Sequence, residues 1–155
     1  MSHQIAELHR GAASAKIDAL SNKLSGLPQV ECEVNHYFGP NIYIREIVMP
    51  KGVVVVGRSH KGEHMCSMVS GRVIVVDEDG VKTELVAPLV YKANPGRKTL
   101  YVMETTRFQN IFSTPETDLV KLEEMLVEKK LPRLPVVDIE NKAEPCEVTS
   151  VENKD

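Results

Sequence analysis

The stretch GVVVVGRSHKGEHMCSMVSG, residues 52–71, decides the fold. Val53 to Val56 is a continuous β-branched run, which reads as a short strand covered on both faces. Immediately downstream, RVIVVDEDGVKTELVAP reads as a hairpin: two strand-like runs around Glu78-Asp79-Gly80, with Gly80 supplying the positive φ of the turn. Upstream, Val30, Cys32 and Val34 alternate with polar residues. Ile42, Ile44 and Glu46 fall on one side of a strand, against Tyr43, Arg45 and Ile47 on the other. Gly39-Pro40, Pro50-Lys51-Gly52, Ala87-Pro88 and Asn94-Pro95-Gly96 punctuate the rest. Short strands with turn signals every ~8–12 residues predict an all-β sandwich or jelly-roll barrel.

Helix signals flank this β region. Ile5, Leu8, Ala12, Ala13, Ile17, Leu20 and Leu24 recur at three- and four-residue spacing, and Gly26 and Pro28 stop the pattern. The stripe is suited to packing on the barrel or on a second subunit. After the β region, Thr114 reads as a cap, Pro115 as the first helical residue and Glu116 as first-turn charge. Leu119, Leu122, Met125 and Leu126 form the buried stripe up to Lys130, and Pro132 and Pro135 end it. The expected organisation is an N-terminal helix at 1–27, a barrel at 28–114, a C-terminal helix at 115–131 and a polar acidic tail at 132–155.

At 155 residues the chain fits one domain that needs no disulfide or structural metal to hold its core. A net charge of -3 argues against a nucleic-acid binder, which needs a basic excess to displace counterions. No run approaches the ~20 apolar residues of a membrane span, and MSHQIAELHR is not a secretory signal. Cys32, Cys66 and Cys146 lack paired spacing, which suits a reducing, cytoplasmic setting.

His60 and His64 share strand parity, so both point to one face, but a straight strand separates them by about 13 Å. Gly62 allows a bend that joins the imidazoles into half a metal site, with His36, Glu46 and Tyr101 as candidates from other strands. The plainer reading makes them hydrogen-bonded polar residues in a barrel mouth. Arg58 cannot ligate a cation; with Arg45, Lys61, Arg97 or Arg107 it suits an anionic small molecule. For each of these cations the competing reading is a solvated strand-edge charge. Cys66 shares the parity of His64, and it reads as a buried structural thiol before a nucleophile; Met65 and Met68 read as core filler. No GxSxG elbow, phosphate-binding glycine loop or CxxC pair is present, and the sequence assigns no catalytic residue.

Residues 52–71 resemble the first motif of the cupin superfamily, the RmlC-like jelly rolls, with Gly52, His60 and Gly71 in register. Arg58 stands where that motif has its first histidine and His64 where it has glutamate. The third histidine of the cupin metal set falls at Thr99 and the following asparagine at Met103. The wider pattern is similar to small cupin-like proteins encoded by tailed bacteriophages and prophages. It rests on Leu27-Pro28-Gln29-Val30, His36, Tyr37, His60-Lys61-Gly62-Glu63-His64 and Ser70-Gly71. The resemblance implies a mainly β, cupin-like jelly-roll barrel with an N-terminal and a C-terminal helix, set in a host cytoplasm or a virion.

Three functions stay open. The first is a non-enzymatic structural or interaction protein, a homodimer or higher homo-oligomer that also meets other phage proteins. The second is a metal-dependent enzyme holding one divalent zinc, iron, manganese or nickel at His60 and His64. The third is a small-molecule barrel that takes an anion at Arg58, His60, Tyr101 and Arg107. Loss of most cupin ligands ranks the first ahead of the others, with neither nucleic acid nor membrane as a partner.

Overall fold

The computed structural model describes residues 15–128 and 135–140. Helix α1 covers 15–25. Seven strands follow: β1 Glu33–Gly39, β2 Ile42–Met49, β3 Val53–Val56, β4 His64–Val76, β5 Lys82–Val86, β6 Leu89–Ala93 and β7 Thr99–Ser113. Helix α2, Leu119–Leu126, and strand β8, Val136–Asp138, complete the described chain.

The two long strands organise the sheet. The 15-residue β7 pairs β2 with its C-terminal half, β3 with its N-terminal end and β4 along both. The 13-residue β4 takes β6 against its first half and β5 against its second. The β4–β7 ladder breaks register between Met68 and Val73, around Gly71 at φ +101°. Bulges of this kind bend a strand and sharpen its twist. Here the bend curls the sheet, so the inward residues enclose a core containing Ile47, Met49, Val55, Met68, Val73, Val102 and Phe108.

The predicted hairpin forms as β4–β5, with Gly80 at φ +79°. Its turn is held by Asp77, whose Oδ1 accepts from the amides of Asp79 and Val81. Helix α1 packs on the barrel itself. Ile17 and Leu24 are buried against Val56 and Val137, and Arg97 ties the helix down through Asp18 and Ser21 while its Nε donates to Gly57 O. Leu20 stays on the exposed side. Ile5, Leu8, Ala12 and Ala13 lie outside the described residues.

Three expectations are corrected. Helix α2 begins at Leu119, and its cap is Asp118, whose side chain accepts from the amides of Val120 and Lys121. Thr114 instead closes β7, because its amide donates to Asn41 O, and the chain needs the intervening residues to turn onto the barrel mouth. Within the expected tail, Val136–Asp138 forms β8, pairing Val53–Val55 of β3 and covering an edge that would otherwise lie open. Met65 is exposed on the outer face of β4, whereas Met68 is core. Among the described residues no helix is long and apolar enough to cross a membrane.

Candidate functional site

Period-two alternation builds the interior in layers, because residues directly opposite one another on neighbouring strands share a face. One row across β1, β2, β7, β4 and β6 reads Val34, Ile47, Phe108, Met68 and Leu89, an apolar floor. Two residues along each strand the row becomes His36, Arg45, Asn110, Cys66 and Tyr91, a polar belt. Two further along stand Phe38, Tyr43 and Phe112, with His64 and Ala93 closing the row on β4 and β6. Above this aromatic rim lie His60, from the β3–β4 loop, and the α2 residues Leu122, Glu123 and Leu126. Together with the inward residues of these rows, Phe38, Met68 and Leu89 excepted, they line a cavity of about 370 Å³. Leu122 is 2 % exposed, burial that contributes roughly 2 kcal/mol to holding α2 over the mouth.

The rim is a continuous set of rings. Tyr43 and Phe112 lie 5.9 Å apart at 18°, Phe112 and His64 4.8 Å apart at 28°, and His60 and His64 4.4 Å apart at 39°. The turn Lys61–Glu63 folds back, held by Lys61, whose amide donates to Leu126 O and whose Nζ donates to Glu124 O. It thereby brings together two rings that a straight strand would keep apart.

The belt is hydrogen-bonded around Asn110. Its Oδ1 accepts from His64 Nε2 at 3.0 Å and from Cys66 Sγ at 3.4 Å. Burial pushes the Cys66 thiol up to about 11, although the Tyr91 hydroxyl and Lys98 oppose the shift. Cys66 therefore stays a thiol at neutral pH and does not pair with His64 as a nucleophile. His36 Nδ1 lies 2.7 Å from the Tyr43 hydroxyl; burial, helped by Arg45, lowers its pKa.

Arg45 sits in the middle of this belt. Among the described residues its guanidinium makes no hydrogen bond and no ion pair. Burial lowers its pKa first; Arg58 adds to that, while Tyr43, Cys32 and Glu123 oppose it. A guanidinium carries five donors and remains charged at neutral pH, so this is a cation facing a largely apolar space.

The expected ligand residues divide. Arg58 lines the cavity, but it is ion-paired to Glu123 of α2. His60 lines it as expected. Tyr101 and Arg107 carry odd numbers on β7, whereas Leu100, Phe108, Asn110 and Phe112 point inward, so both face outside. Tyr101 bonds Glu140, and Arg107 pairs with Glu46. Glu46 is likewise removed from the cavity. It is buried under Arg107, Gln109 and Asn35; burial raises its pKa, and these hydrogen bonds outweigh burial and bring it below the usual carboxylate value. Arg97 is spent on α1, and Glu63 pairs with Lys92 at 3.3 Å.

The residues present do not fit the metal centre that a cupin motif implies. His64 donates Nε2 to Asn110, the His60 and His64 rings pack against each other, and Arg45, Arg58 and Lys98 place positive charge on the same cavity. Among the described residues no three of His, Cys, Asp and Glu come together as a cation site. No sequence motif marks Asn110 or Tyr91; the alternation of Phe108, Asn110 and Phe112 is the signal that carries Asn110 inward.

No family model matches the chain, and no curated protein matches it. Among solved structures it is similar to ectoine synthase from P. lautus, at 12% identity over 68% of this chain and 80% of that one, with a TM-score of 0.51. It is also similar to KdgF from Halomonas sp., at 16% identity over 59% and 88% of the two chains and a TM-score of 0.46. A third is an RmlC-like cupin family protein with a double-stranded β-helix fold from Methanocaldococcus jannaschii, at 15% identity over 54% and 81% and a TM-score of 0.44. At 12% identity the ectoine synthase likeness speaks to fold alone, and it agrees with the strand order: the chain is a mainly β, cupin-type jelly-roll barrel.

Proposed function

We propose that the barrel binds a small organic anion in its interior. The observation that carries this reading is Arg45, a half-buried guanidinium with no hydrogen bond among the described residues, lining a cavity of about 370 Å³. Taking a cation even partly out of water without a partner costs stability, and an apolar side chain in its place is commonly neutral or better. A ligand carboxylate would complete the belt with charge-assisted hydrogen bonds. The cavity volume lies within the usual range of small-molecule sites.

The test is thermal unfolding of the native protein with acetate, hexanoate and benzoate, each compared with its neutral alcohol. At least one carboxylate should raise Tm with concentration, as any ligand of the folded state does, and its alcohol should not. Arg45→Met should leave Tm equal or higher without ligand, and weaken the same carboxylate about ten- to a hundredfold. No rise with any carboxylate, or an unchanged response in Arg45→Met, refutes the reading.

A second reading is self-association through an exposed face of the sheet. The outer face of β4 and β6 carries Met65, Val69 and Val90, the last 64% exposed. A homodimer formed on this face should appear in light scattering and revert to a monomer in Val90→Lys. A monomeric native protein ends that reading and leaves the cavity reading untouched.

A further inference from the structure

We propose that the anion is a mono- or bicyclic aromatic carboxylate, its ring held in the layer of Tyr43, Phe112, His60 and His64 and its carboxylate on Arg45. This rests on the anion-binding reading above and names the chemical class the site selects.

The chain has three Phe, four Tyr and no Trp. Four of those seven rings, Tyr43, Tyr91, Phe108 and Phe112, line this one cavity, together with three of the five histidines. A generic apolar cavity needs only aliphatic walls, which the floor already has in Val34, Ile47, Met49, Val55 and Leu100. Four of these rings, Tyr43, Phe112, His64 and His60, are instead gathered at the mouth side, with planes inclined by 18° to 39° along the series. Near-parallel π faces favour another planar ring in offset contact, through the ring quadrupole as well as through buried area.

The charge lies one layer deeper. Arg45 stands opposite His36 and Asn110, two residues along β2 from Tyr43, or about 6.6 Å at strand rise. That step matches the roughly 3.5 Å from the centre of a benzoate ring to the level of its carboxylate oxygens plus one charge-assisted hydrogen bond of about 2.9 Å to the guanidinium. The other cavity cations are engaged: Arg58 with Glu123, and Lys98 Nζ with Asn94 O at 3.0 Å. Arg45 is thus the cation placed to receive the head group, with Asn110 beside it.

Isothermal titration of the native protein at neutral pH with benzoate and cyclohexanecarboxylate tests the class. The two acids match in charge and nearly in size and differ in their π faces. Benzoate should bind about tenfold more tightly, the counterpart of one well-placed aromatic contact. Benzyl alcohol, which keeps the ring and lacks the charge, should bind at least tenfold more weakly than benzoate. Phe112→Leu should abolish the preference between the two acids while retaining affinity for cyclohexanecarboxylate. Equal affinities for the two acids in the native protein, or a retained preference in Phe112→Leu, overturn the aromatic class and leave the anion reading standing. Binding of neither acid, or benzyl alcohol binding as tightly as benzoate, overturns both. The comparison on the native protein decides even where the variant fails to fold.

Discussion

Gly71→Ala should destabilise the protein by on the order of 4 kcal/mol, read as a fall in the urea midpoint, and should abolish cavity binding with it. Gly71 has φ +101°, in the region L side chains rarely adopt. A Cβ there would lie 2.2 Å from Thr106 Oγ1, 2.6 Å from Thr105 O and 2.6 Å from Thr106 Cα. Two of those three atoms are backbone, so no rotamer change relieves the clash, and Thr106 is itself fully buried. The only escape is to push β4 away from β7 where the two longest strands bend together. That bend sets the curl of the sheet, so a forced flattening opens the layers built on it. Gly62 is the internal control. A Cβ there meets nothing within 4 Å, so Gly62→Ala should change stability by less than about 0.5 kcal/mol. Similar small losses at both positions would show that the close approach at Gly71 does not govern the bend.

The contrast between these two glycines bears on what can be read from sequence. Gly71 is legible as a motif residue, and the β-branched run Val53–Val56 and the Glu78-Asp79-Gly80 turn carry their structure locally. The alternation of Tyr43, Arg45 and Ile47 against Ile42, Ile44 and Glu46 also survives intact, with the first set inside. What fails needs register between distant strands. Tyr101 and Arg107 are sound polar candidates until β7 is aligned on β2 and β4, and then one residue of parity sends them outward. Strand β8 is three residues between proline-bearing and polar sequence, and it becomes a strand because β3 offers it an edge. His60 and His64 come together through a turn fixed by Lys61 contacts to α2, a dependence spanning some sixty residues that local spacing does not show. Arg45 was visible as one of several cations; its isolation is a property of the assembled belt.

His60 should make the protein acid-sensitive well above the carboxylate range. Its pKa is lowered from 6.5 to about 4, by burial first and then by His64, Lys98, Arg45 and Arg58. The folded state thus holds His60 neutral where the unfolded chain already binds a proton. Its contribution is fully present above pH 6.5 and is lost as pH falls towards about 4. At about 1.36 kcal/mol per pH unit, the loss across that interval approaches about 3 kcal/mol. His36 is lowered in the same direction and adds to the slope, whereas Glu46 acts only below the ordinary carboxylate pKa. Equilibrium unfolding at neutral pH and near pH 4.5, on the native protein and on His60→Phe, isolates the term. The variant keeps a ring against His64 and Phe112 but cannot titrate, so its stability difference between the two conditions should shrink by about 2–3 kcal/mol. An unchanged difference would mean that His60 is not the group held neutral. The ligand supplies an independent check on the same charge set. Arg45 raises the cost of protonating His60, and a carboxylate bound on Arg45 cancels part of that field. Saturating benzoate should therefore move the His60 pKa, followed by NMR, back up towards its ordinary value, and do so less in Arg45→Met, where the anion no longer settles in the belt.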